Sequence, residues 1–235
     1  AVAEVNLGTC YFKGSGVEQD YKKAVELYAK AAKQGNADAQ CRLGLCYAIG
    51  NGVERDYKEA VRWFNESAKQ DNVLAQCALG TSYFEGNGVG QDCNKAIEWF
   101  KKAAEQGNVG AQLKLGLCYY NGDGVGRNYQ EAIEWLKKAA EQGNVDAQLK
   151  LGLCYYKGYA VEQDYKKATE WYEKAAKQGN ASAQDILGTA YYIGQGVEQN
   201  YKQAAYWFEK AAKQGVAYAQ YCLGLYYANG EGVEQ

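Results

Sequence analysis

The side chains able to act as nucleophiles in this chain are eight cysteines, at 10, 41, 46, 77, 93, 118, 154 and 222, and four serines, Ser15, Ser67, Ser82 and Ser182. No histidine stands among the 235 residues. That removes both the commonest general base and the commonest metal ligand. No Cys-x-x-Cys spacing replaces it, so a zinc site lacks a ligand set. Cys10, Cys46, Cys118 and Cys154 recur at one position that Ser82, Ala190 and Tyr226 take elsewhere. Serine and alanine as substitutes predict a small, mostly buried slot rather than a bond. Cys41 and Cys77 stand 36 residues apart, which in stacked helix pairs means about 10 Å, beyond the roughly 7 Å Cα limit for a disulfide. The other chemical candidate is a glycine-rich loop such as Gly86-Asn87-Gly88-Val89-Gly90-Gln91-Asp92. It follows a helical pattern rather than a strand and lacks the lysine of a phosphate-binding loop, so its glycines are expected to make a chain reversal. No catalytic residue, metal or cofactor is expected.

Composition narrows the class further. Lys and Arg number 26 against 28 Asp and Glu, for a net charge of -2; the pI near 5.5 and mean hydropathy of -0.54 suit a folded, water-facing chain. No basic stripe exists to neutralise phosphates, which argues against nucleic acid as a partner. Apolar runs such as Leu115–Tyr120 end far short of the roughly 18 residues a membrane span needs. Proline and methionine are absent, even at position 1. The chain is therefore expected to be an excised piece, a processed product or an artificial sequence. No charged-then-apolar start marks a signal peptide.

What positions these residues is a repeat. A shift of 36 superimposes Leu-Gly at Leu7–Gly8, Leu43–Gly44, Leu79–Gly80, Leu115–Gly116, Leu151–Gly152, Leu187–Gly188 and Leu223–Gly224. Units begin at 1, 37, 73, 109, 145, 181 and 217, the last a half repeat of residues 217–235, without insertion or deletion. The whole of 1–235 reads as one repeat domain. Each unit carries two amphipathic patterns, for example Ala75, Leu79, Ser82 and Tyr83, then Ala96, Trp99, Phe100, Ala103 and Ala104. Asp20, Asp56, Asp92, Asn128, Asp164 and Asn200 read as N-caps of second helices, and Asn36, Asn108, Asn144 and Asn180 as caps of first helices. Gly35, Gly107, Gly143 and Gly179 suit the left-handed residue that ends a helix, with Asp71 the exception. A valine, from Val17 to Val233, closes each loop onto the helix pair. Glu26/Lys30, Glu98/Lys102, Glu134/Lys138 and Glu170/Lys174 are i, i+4 pairs on a solvated face. The recurring tryptophans 63, 99, 135, 171 and 207 are expected in packing. The Leu-Gly glycines mark close helix approach.

The consensus A-x-x-x-L-G-x-x-Y-x-x-G-x-G-V-x-x-D-x-x-x-A-x-x-W-[FYL]-x-x-A-A-x-Q-G resembles the Sel1-like repeat family, relatives of the tetratricopeptide repeats. The resemblance covers the entire chain. It implies an all-α fold, a right-handed α/α superhelical solenoid of 36-residue helix-turn-helix repeats whose first helices line the concave side, serving as a scaffold or adaptor for a protein or peptide. Spacing alone implies an elongated, curved body in which each unit touches its neighbours. Some relatives are described as having β-lactamase or penicillin-binding activity; none of the four serines here has the S-x-x-K spacing of that chemistry. Secreted cysteine-rich relatives pair cysteines within each repeat, which this chain does not. Reducing conditions and a cytoplasmic location are favoured, with a periplasmic or secreted one left open if a signal peptide has been removed.

Positions that vary between units point to where a partner would bind. On the first helices, opposite the Ala/Leu/Tyr core, three columns run Val5, Cys41, Cys77, Leu113, Leu149, Asp185, Tyr221; Thr9, Leu45, Thr81, Leu117, Leu153, Thr189, Leu225; and Phe12, Ala48, Phe84, Tyr120, Tyr156, Tyr192, Ala228. This strip is too apolar for an ordinary solvated face. The residues expected to bind a partner are Phe12, Phe84, Leu113, Leu117, Tyr120, Leu149, Leu153, Tyr156 and Tyr192. Self-assembly into a head-to-tail homo-oligomer through the terminal repeats is the alternative, because Tyr221, Cys222 and Tyr226 stand on a last helix without a second helix to cover it.

Overall fold

From the second helix to the twelfth, each helix starts where a side-chain oxygen meets a free first-turn N–H. In the computed structural model, which describes residues 1–229, Asn36 accepts from the Ala39 amide at 2.8 Å and Asp20 from the Lys23 amide at 3.0 Å. Asp56, Asp92, Asn128, Asp164 and Asn200 do the same at their helices, and Asn72 caps as well. The amide bonds from Lys23, Lys95 and Lys167 hold the Asp20, Asp92 and Asp164 carboxyls below the usual range. Second helices end as the Gln-Gly-Asn reading requires: the Gly107 amide bonds Ala104 O and the Asn108 amide reaches back to Ala103 O, with φ +87° at Gly107. Asp71 takes the same left-handed conformation, φ +58°.

The chain packs as two units, Ala1–Gly126 and Arg127–Gln235. The first holds α1 (Val2–Lys13), α2 (Tyr21–Lys33), α3 (Ala37–Ile49), α4 (Tyr57–Ala68), α5 (Val73–Glu85), α6 (Cys93–Glu105) and α7 (Val109–Asn121). The second holds α8 (Tyr129–Glu141), α9 (Val145–Lys157), α10 (Tyr165–Lys177), α11 (Ala181–Ile193), α12 (Tyr201–Lys213) and α13 (Ala217–Asn229). No strand occurs among the described residues. Within each unit, helices pack on their sequence neighbours, as in an α solenoid.

The glycines of the Leu-Gly pairs are contact points. A Cβ on Gly44 would come 2.6 Å from the Phe64 ring, and one on Gly152 2.6 Å from Tyr172. In five repeats the ring edge of the second helix, that of Tyr28, Phe64, Phe100, Tyr172 or Phe208, therefore rests on the bare backbone of its own first helix, and in the fourth repeat Leu136 stands at that position. Around this seat lie Leu43, Leu79, Leu151 and Leu187, all fully buried. In the loops, Val53 and Val89 pack on the cores as expected; Val233 lies outside the described residues. Where Ala160 replaces the second loop glycine it takes φ +51°, and the neighbouring Tyr159 ring stacks on Tyr129 at 4.5 Å.

Two expectations need correction. The i, i+4 partners separate: Lys30 pairs with Glu4 at 2.9 Å, while the amines of Lys102, Lys138 and Lys174 sit over the rings of Trp99, Trp135 and Trp171 at 4.4, 3.9 and 3.7 Å. An indole face one turn back holds an ammonium better than a solvated carboxylate does. Tyr226, expected uncovered, is buried, with its ring against Tyr192, Tyr201 and Phe208. The exposed large apolar side chains of α13, among the described residues, are Tyr218, Tyr221 and Leu225.

Candidate functional site

The nucleophile candidates are placed for packing. The Ser67 hydroxyl donates to Ala37 O at 2.6 Å and is fully buried. Cys46, Cys118 and Cys154 occupy the predicted small slot and are buried, with Cys10 half-buried. Burial pushes the thiols of Cys46, Cys118 and Cys154 up to about 11, and that of Cys41 up to about 12. The thiolate is the reactive form, so these four are inert at neutral pH. Iodoacetamide applied to the native protein at about pH 8 should label the half-buried Cys10 and Cys93 first and leave those four intact until the chain unfolds; peptide mapping by mass spectrometry reads the order. Among the described residues, no group of three or more cysteine or carboxylate side chains is arranged to hold a metal ion.

The strip is the remaining candidate. Val5 and Cys41 drop out of it as exposed members: Val5 packs with Ala39 and Leu43, and Cys41 with Ala75 and Leu79. The first helix of the next repeat covers them, which shows that this column lies partly between repeats. Leu113 and Leu149 in the same column stay half-buried. Phe12 is half-buried with its ring 5.0 Å from Tyr21, Tyr120 is half-buried, and Tyr192 is exposed.

The other four predicted residues gather in two cavities, one in each unit. Phe84 and Leu117 line a space of about 190 Å³ between α5, α6 and α7, together with Phe100, Lys114, Cys118 and Asp123. Leu153 and Tyr156 line one of about 250 Å³ between α9, α10 and α11, together with Tyr165, Tyr172, Asp185 and Ile186. The two occupy the same repeat position: Phe84 corresponds to Tyr156, Phe100 to Tyr172 and Lys114 to Ile186. Their chemistry differs. The Lys114 amine stands 5.8 Å from the Phe100 ring centre in the first. The second has the Asp185 carboxylate where the first unit has Leu113.

Sequence reasoning missed a buried polar ladder. Gln76 and Gln148 are buried and accept from the side-chain amides of Gln106 and Gln178, both at 2.9 Å; Gln40 and Gln184 make equivalent bonds to Gln70 and Gln214. Gln148 and Gln184 also donate to Ala140 O and Ala176 O, at 3.1 Å. This fastens the turn after a second helix to the first helix that precedes it. The signal was present in the recurrence of Gln at both positions.

Stacked 36-residue helix pairs define an all-α solenoid of the tetratricopeptide type. The chain belongs to the Sel1 repeat family, whose model matches residues 1–36, 37–72, 73–108, 109–144, 145–180, 181–216 and 217–235. It is similar to a protective antigen present in uropathogenic Escherichia coli strains, with 41% identity and a TM-score of 0.94 over 97% of this chain and 49% of that one. It is also similar to a Sel1 repeat protein from Oxalobacter formigenes, with 36% identity and a TM-score of 0.86 over 95% of this chain and 65% of that one. The chain thus spans less than two thirds of the length of either. An immunity protein of Pseudomonas aeruginosa, Pa5087, shares the fold at 22% identity, with a TM-score of 0.53 over 88% of this chain and 81% of that one. A search of curated protein sequences gives no match. Sel1 repeat proteins generally act as protein-interaction scaffolds and are generally not catalysts.

Proposed function

We propose that the chain binds a protein or peptide along the apolar side of its first helices, using Phe12, Phe84, Leu113, Leu117 and Tyr120 in one unit and Leu149, Leu153, Tyr156 and Tyr192 in the other. The observation that carries this reading is the equivalent cavity in each unit, lined by an aromatic ring and a leucine from this strip. Cavities of this kind accept side-chain anchors, and anchors seated in pockets dominate interface energies. The absence of a nucleophile paired with a base, on the sequence reading, favours binding over catalysis.

The test uses side chains that are exposed and lie outside both cavities. Replacing Leu45 and Tyr192 with serine should leave the helical circular dichroism unchanged and remove the proteins that co-purify with the unaltered chain, checked by re-binding each as a purified protein. Undiminished capture by the double variant overturns the reading.

A further inference from the structure

We infer that the cavity between α9, α10 and α11 takes the cationic side chain, lysine or arginine, of a bound peptide; this rests on the scaffold reading above. Three observations converge. First, Asp185 breaks its column: the equivalent residues are Val5, Cys41, Cys77, Leu113, Leu149 and Tyr221, all uncharged. Second, the Asp185 Oδ1 is buried without a hydrogen-bond partner, although the residue lines the cavity and is half-buried overall. Third, the walls supply what an alkylammonium or guanidinium needs besides a counter-charge. Tyr156, Tyr165 and Tyr172 offer rings, the first two in edge contact at 5.3 Å, and Leu153 and Ile186 offer apolar surface for the aliphatic stem.

A carboxylate left unpartnered in an apolar wall is a costly feature unless something completes it. Its burial holds the carboxyl above the usual range. The groups on α13 that sense its charge, the Tyr218 hydroxyl and the Cys222 thiol, are neutral and do not offset it. An incoming N–H donor would supply a hydrogen bond and the counter-charge to the carboxylate together. At the position equivalent to Asp185 the first unit has Leu113, and the corresponding cavity there is lined by both Lys114 and Asp123.

The experiment is an NMR titration of the whole chain with Nα-acetyl-lysine amide, Nα-acetyl-arginine amide and, as neutral isostere, Nα-acetyl-norleucine amide, observed at the Ile186 and Thr189 signals. At least one cationic probe should bind about tenfold or more tightly than norleucine amide. Asp185→Asn should erase that preference. Asp185→Leu, which installs the residue of the neighbouring repeats, should erase it as well and raise the unfolding temperature, so misfolding does not obscure the result. Equal binding of norleucine amide, no saturable shift with either cation, or a preference that survives in Asp185→Asn overturns the inference. Neither Leu45 nor Tyr192 lines this cavity. A failed titration alongside lost capture in the Leu45/Tyr192 variant therefore rejects this inference alone, whereas discrimination by the cavity alongside undiminished capture rejects the scaffold reading.

Discussion

Alanine at Gly88 lowers the unfolding free energy by about 3 kcal/mol or more, while the same change at Gly107 costs about 1 kcal/mol. Both residues are left-handed, at φ +76° and +87°, so both substitutions carry the strain of an L side chain in that region. What separates them is space. A Cβ on Gly107 meets nothing within 4 Å, whereas one on Gly88 runs into the Tyr57 carbonyl oxygen. Tyr57 opens α4, where Asp56 caps the amides of Lys58 and Glu59, so the obstacle is hydrogen-bonded backbone that moves only by disrupting the cap. The methyl must therefore displace the whole loop. Urea titrations of the two variants, followed by circular dichroism, check the difference; equal losses would show that the loop does not rest on the preceding repeat. Asp71, at φ +58° in the position homologous to Gly107, already shows that a side chain is tolerated there.

The same pair of residues shows what was legible in the sequence. Both glycines recur, so a turn was readable at each from local chemistry alone. That Gly88 touches the preceding repeat was not readable, because recurrence reports that a position is constrained without naming the atom that constrains it. Helix limits followed from the capping side chains, since a cap is a bond between residues two or three apart. The strip was legible as an apolar surplus, but the sequence placed Val5 and Cys41 with Leu113 and Leu149. Helical periodicity gives the face of a helix, not how closely the next helix approaches that face. Lysine partners were misread for a related reason: Glu134 and Trp135 are both within reach of Lys138, and only the geometry shows the amine over the ring. Asp185 was visible as an odd member of its column, and its unpartnered oxygen emerged only from three-dimensional packing.

Removing the ring of Tyr172 should cost about 3–5 kcal/mol, and removing that of Tyr156 about 1 kcal/mol. The contrast decides which aromatic column holds the repeats together and which is available to a partner. Tyr172 is 2% exposed and packs with Ala168, Ala175, Leu187 and Trp207. Its ring edge rests on Gly152, which has no side chain able to fill the void, so truncation leaves a cavity that the backbone cannot close without breaking helix packing. Tyr156 is half-buried, with its ring 5.3 Å from that of Tyr165, and borders the open space beside Asp185, so water replaces much of what truncation removes. Equal losses at the two sites would assign Tyr156 to the core and remove it from the partner surface. The seat under Tyr172 gives a sharper check through a change of sign. In the unaltered chain Gly152→Ala forces a methyl to within 2.6 Å of the ring and destabilises, despite a helix propensity gain of about 1 kcal/mol. In the Tyr172→Ala background the clash is gone and the propensity gain remains. There Gly152→Ala should stabilise by about 1 kcal/mol in urea unfolding, and a loss in both backgrounds would show that the ring does not sit on that glycine.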